Sequence, residues 1–121
     1  MHKAVERIGL TGKIGKPLLT LHGTLDVLLP ISEDSDVYAE MVRKQGRGHL
    51  HRYYRIEDGT HTDSFVDLHP DQLRALTPCH RTAFEALEAY LADGTPLPES
   101  ATIPRPADAT PQDLVTTCEL N

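Results

Sequence analysis

Residues Leu18 to His22 form a short apolar run that is continuous rather than alternating, and it stops at Gly23. A strand exposed on one face alternates apolar and polar residues, whereas a parallel strand covered on both faces reads as an unbroken apolar run. This stretch therefore predicts a buried parallel strand, fed by a loop containing Gly12, Gly15 and Pro17. A parallel strand needs a crossover to reach its partner, and such a crossover follows. Ser32 is a fitting N-cap, with Glu33, Asp34 and Asp36 near the positive end of a helix dipole. Val37, Tyr38, Met41 and Val42 recur at helical spacing, and Arg43, Lys44 and Gly46 supply the stop, which predicts a helix over Glu33 to Gln45.

The second strand is predicted over Leu50 to Ile56, "LHRYYRI", aromatic-rich and bounded by Gly48 and by Asp58-Gly59. Pro70 opens a predicted short helical turn through Leu76, and Pro78 starts a longer helix to Asp93, which Gly94 ends. In that helix Ala83, Phe84, Leu87, Tyr90 and Leu91 share a face, expected to be core. From Thr95 onward lie five of the nine prolines and few large apolar residues. That stretch reads as a flexible or surface-clinging tail. The expected organisation is a folded segment over residues 1–94 and a Pro-rich tail over residues 95–121.

Composition narrows the functional classes. A chain of 121 residues has room for one domain, and its net charge of −6, with scattered Lys and Arg, argues against a nucleic-acid surface. No run approaches the length of a membrane span. Residues Met1 to Lys16 carry no apolar leader core, and localisation is left open. Cys79 and Cys118 are too few for a disulfide framework. Cys79 reads as a buried inert thiol, and Cys118 falls in the expected tail.

A strand, helix, strand order places the carboxyl ends of parallel strands on one edge of the sheet, and the loops after those ends are where open α/β sheets place ligands. Asp26 lies in the loop after the first strand and His61 in "DGTHTD" after the second. Though far apart in sequence, they are expected side by side. A carboxylate beside an imidazole fixes its tautomer and leaves the second ring nitrogen free to take a proton. "PLLTLHGTLDVLLP", a helix, a strand, "DGTHTD" and a final amphipathic helix together resemble the C-terminal end of an α/β-hydrolase of the serine esterase or lipase type. The fold class this implies is α/β, the closing βαβα portion of that fold, with parallel strands, flanking helices and a Pro-rich tail.

By that resemblance Asp26 is the acid and His61 the base of a Ser-Asp-His triad acting on a carboxylic ester or similar acyl substrate. The family's serine sits in a G-x-S-x-G elbow upstream of the acid. Ser32, Ser35, Ser64 and Ser100 lack that context and all follow Asp26. The expectation is thus the closing part of a serine hydrolase, inactive alone, that forms an oligomer or is completed by an N-terminal hydrolase segment. The alternative is a non-catalytic interaction module or subunit that keeps the scaffold. No metal or organic cofactor is implied. His49 and His51 would share a strand face, with Asp63, Asp67 or His69 as further ligands, but an isolated His-x-His pair is usually incidental. His22 reads as a strand-end histidine bonded to backbone and a neighbour of the site, and Asp63 as a support of the His61 loop.

Overall fold

The computed structural model describes residues 2–120; Met1 and Asn121, the outer limits of the two expected segments, lie outside the described residues. Three strands, β1 (Leu18–Gly23), β2 (His51–Ile56) and β3 (Ala101–Ile103), form an all-parallel sheet in the order β1-β2-β3. Helix α1 (His2–Ile8) precedes them and buries no residue. Helix α2 (Ser35–Lys44) connects β1 to β2, and α3 (Thr77–Asp93) lies between β2 and β3. The expected βαβ unit is present, followed by a second one that ends in β3. Helix α4 (Pro111–Thr116) completes the chain.

The two expected strands pair in register from Leu18 with His51 to Gly23 with Ile56. Strand β2 is covered on both faces, as its composition requires. Tyr54 and Ile56, both fully buried, point into a core with Cys79 and Ala83 of α3 and with Ile103, Cys118 and Leu120. The residues between them serve the α2 face. There Asp36 accepts hydrogen bonds from the Tyr53 hydroxyl (2.8 Å) and from Arg55 Nη2 (2.7 Å), while His51 stacks on Tyr53. Burial and the bond to Asp36 together push the Tyr53 hydroxyl up to about 12.

Four expectations need correction. Helix α2 begins later than Ser32, because the Pro30 carbonyl accepts the amides of Glu33 and Asp34 and holds residues 31–34 in turns. The stretch from Pro70 is not helical throughout. It turns on His69 and then runs extended, with Arg74 bridged in parallel to Gly59 and its amide bonded to the Asp58 carbonyl. The largest revision concerns residues 95–120, expected as a flexible or surface-clinging tail. They supply β3 and α4 and bury Ile103, Leu114, Cys118 and Leu120 against the rest of the chain, so position 94 is not the edge of the packed structure. Finally, Cys79 is not a free thiol but is disulfide-bonded to Cys118 across 39 positions of sequence.

The apolar face of α3 is also covered less than its periodicity predicts. Ala83 is buried, but Phe84 is 62% and Leu91 71% exposed. A helix face wide enough for a larger sheet lies here against a narrow one whose outer strand, β1, has no neighbour on its far side among the described residues. Along that edge Pro17, Leu18, Leu21, Phe84 and Leu87 line a shallow apolar groove.

The disulfide closes a long loop around a small core, so its contribution to stability is large for this chain. Reduction, or Cys79→Ser, is expected to destabilise the fold by about 2–4 kcal/mol. Urea unfolding with and without reductant measures it; coincident transitions would show that packing alone holds the C-terminal segment.

Candidate active site

The loops that follow β1 and β2 are laced to each other by backbone. Thr24 N–H donates to the Ile56 carbonyl (3.0 Å), Leu25 N–H to the Gly59 carbonyl (2.9 Å), and Asp58 N–H to Thr24 Oγ1 (3.2 Å). Gly23 and Gly59 meet so closely that a Cβ on Gly23 would collide with the Gly59 carbonyl. Asp58 makes the turn possible with φ of 60°, a left-handed conformation that Asp tolerates better than most residues.

This lacing brings together the two residues expected at the site. His61 Nδ1 lies 2.8 Å from Asp26 Oδ2. An ionised carboxylate only accepts, so Nδ1 carries the proton and Nε2 of the neutral ring presents its lone pair. No hydrogen bond from the described residues engages Nε2, and the His61 side chain is 40% exposed while that of Asp26 is 6% exposed. The pair opens onto a shallow cleft of about 250 Å³ that His22, Ser35, Leu76 and His80 also line.

Asp26 is buried yet ionised. Burial raises its pKa, but the Leu29 amide, the His61 ring and the Leu28 amide outweigh burial and hold the carboxyl below its ordinary value. Oδ1 accepts from Leu28 N–H (3.0 Å) and Leu29 N–H (2.9 Å), the pattern of an Asx turn. Asp26 thus plays two structural parts: one oxygen builds the turn and the other faces the imidazole.

Asp63 does what was expected of a supporting residue. Its carboxylate accepts the amides of Leu76 (2.7 Å) and Thr77 (2.9 Å), which fastens the His61 loop to the first turn of α3. His22 does bond to backbone, with Nε2 2.9 Å from the Leu29 carbonyl. It also reaches the site directly: Nε2 is 3.2 Å from Asp26 Oδ2, and Nδ1 is 2.6 Å from Ser35 Oγ. Ser35 had no sequence signal beyond a failed match to the elbow pattern. Its hydroxyl is buried in this bond at the start of α2 and offers no exposed nucleophile.

His49 and His51 do not share a strand face. His49 sits in a 3₁₀ turn before β2 rather than on the strand, and His51 Nε2 is bonded to Thr20 Oγ1 (2.9 Å). No group of three or more His, Cys, Asp or Glu with metal-binding geometry occurs among the described residues. Nor is any helix among them long and apolar enough to cross a membrane.

An acid and an imidazole held at the carboxyl edge of a parallel sheet are parts suited to hydrolysis, and comparison with known proteins puts the chain in a hydrolase family. A family model described as 3HB-oligomer hydrolase matches residues 1–121, and the chain belongs to that family. A D-(-)-3-hydroxybutyrate oligomer hydrolase of Cupriavidus metallidurans is 33% identical over 98 residues, covering 77% of this chain and 14% of the relative. Proteins of the same name from Paracidovorax citrulli and Cupriavidus pinatubonensis are each 33% identical, covering 78% and 87% of this chain and 15% and 16% of their own. The chain therefore spans about one seventh of the length of these relatives. No solved structure matches.

Two outcomes test the geometry. Asp26→Asn puts an amide N–H₂ or a single acceptor where the His61 ring N–H and two backbone N–H groups converge. It is expected to cost about 1–3 kcal/mol near neutral pH. Because the folded carboxyl titrates below its ordinary value of 3.8, its stabilisation is complete above that pH and is lost as pH falls through the folded value. The gap between parent and variant should thus close in acid; a gap that stays constant from pH 7 to pH 2 would show that Asp26 is not the ionised hub. Gly23→Ala, which drives a methyl into backbone, is expected to cost about 1–3 kcal/mol and to weaken the His61 to Asp26 contact, read as loss of the Nδ1–H resonance.

Proposed function

We propose that this chain supplies the acid and the base of a Ser-His-Asp triad, on an α/β-hydrolase scaffold, in an enzyme that cleaves ester bonds of 3-hydroxybutyrate oligomers. The observation that carries the reading is the 2.8 Å contact between Asp26 Oδ2 and His61 Nδ1 at the mouth of the cleft. The names of the relatives supply the substrate class.

In this reaction a serine from outside the chain attacks the ester carbonyl while His61 Nε2 takes its proton. Asp26 accepts the Nδ1–H bond throughout and stabilises the imidazolium. The tetrahedral intermediate collapses, His61 delivers the proton to the departing hydroxyl oxygen of one 3-hydroxybutyrate unit, and an acyl-serine remains. Water then attacks the acyl group with His61 again as base, releasing the carboxylic acid and restoring the serine. The groove between β1 and α3, with exposed Phe84 beside it, is where the nucleophile-bearing part of the enzyme would pack.

The same groove and free strand edge favour a second reading, a module that binds a partner chain without chemistry. One experiment separates the two. The chain replaces the matching 98-residue stretch of the Cupriavidus metallidurans relative, and the chimera is assayed on 3-hydroxybutyrate dimer and trimer. His61→Ala is expected to lower kcat by about 10³–10⁴-fold, and Asp26→Asn by a similar factor, with little change in KM. Turnover unaffected by both substitutions would leave the binding module as the surviving account. The 121-residue chain by itself is expected to show no ester hydrolysis; activity lost on His61→Ala would mean that the nucleophile lies within it.

A further inference from the structure

We propose that His22 is a positioning residue of this site: an imidazole that donates its Nε2–H to the Leu29 carbonyl and thereby closes the 26–29 loop whose amides hold the Asp26 carboxylate toward His61. The inference rests on the reading of Asp26 and His61 as acid and base, and it adds a second histidine beside the same carboxylate.

The tautomer follows by elimination. His22 Nε2 faces two acceptors, the Leu29 carbonyl at 2.9 Å and Asp26 Oδ2 at 3.2 Å, and neither can donate. Nε2 must therefore carry the proton. His22 Nδ1 faces the Ser35 hydroxyl at 2.6 Å, which can donate to it. A neutral ring thus satisfies every partner, and the Ser35 hydroxyl sets which nitrogen is protonated. His22 is 7% exposed, so water offers little competition for these bonds.

The bond to Leu29 has a mechanical consequence. Leu29 gives its N–H to Asp26 Oδ1 and its carbonyl to His22, so the ring closes the 26–29 loop from the opposite side. Counting His61, three donors converge on Asp26, two on Oδ1 and one on Oδ2, with His22 Nε2 3.2 Å from Oδ2. Without His22 the loop is held from one side only, and the Leu29 amide that fixes Oδ1 is free to shift.

Long-range ¹H–¹⁵N spectra of the 121-residue chain, with the Asp26 carboxyl followed by ¹³C, test the assignment. The parent should show His22 protonated at Nε2 and bare at Nδ1. In His22→Phe the Asp26 titration midpoint should rise, and the His61 Nδ1–H should exchange with water roughly ten-fold faster. His22→Gln, which keeps a donor toward the Leu29 carbonyl, should bring both back toward the parent. A merely structural histidine would move neither. Observation of the Nδ1–H tautomer at His22 would overturn the proposal, as would a folded His22→Phe chain with an unchanged Asp26 midpoint. If His22→Phe fails to fold, Ser35→Ala decides: it should give a mixture of His22 tautomers and an intermediate Asp26 midpoint, and a parental spectrum would count against the role. Should His61 instead carry its proton on Nε2 while His22 behaves as described, the acid-base reading fails and the hold of His22 on the 26–29 loop stands.

Discussion

The site depends on one close approach, that of Gly23 to Gly59. Adjacent parallel strands run about 4.8 Å apart, and the loops leaving them usually diverge toward their own helices. Here two residues without side chains let the backbones touch at the strand ends, and the amides of Thr24 and Leu25 seal the contact. Asp26 follows Gly23 by three residues and His61 follows Gly59 by two, so the stitch leaves them no room to separate. Asp63 carries the same constraint onward, tying the loop to the start of α3.

Asp26 shows which of two opposing effects prevails. Taking a carboxylate out of water costs several kcal/mol, and hydrogen bonds to a charged group return about 1.5–3 kcal/mol each. Two backbone amides and the His61 imidazole therefore exceed the cost, and the group stays ionised where burial alone would protonate it. In the proposed reaction a carboxylate that stays charged supports an imidazolium, and one held by fixed donors does not turn away from it.

The scaffold beneath the site is small and unevenly finished. On one side the C-terminal segment is sewn in by β3, by the buried Leu114 and Leu120, and by the Cys79–Cys118 bond. On the other, β1 keeps a free edge and α3 shows Phe84 and Leu91 to solvent. Exposed apolar faces and open strand edges are what monomeric proteins avoid.

Local pattern was enough to specify β1, β2, α2 and α3 to within a few residues, and with them the shared sheet edge that carries Asp26 and His61. Period, caps and turn residues act over short distances, and a parallel crossover has few geometric solutions. The C-terminal segment was misread for a matching reason. Its prolines and polar residues look like those of a free tail, and the features that bind it are non-local: a three-residue strand paired to β2, and a cysteine whose partner lies 39 positions away. His22 and Ser35 were likewise invisible as a pair, since no spacing rule links a strand end to the first turn of the next helix. The chain by itself determined that a carboxylate and an imidazole would share an edge. Only the tertiary structure decided which atoms meet, because tautomer and orientation come from donors that separate loops bring to one buried carboxylate.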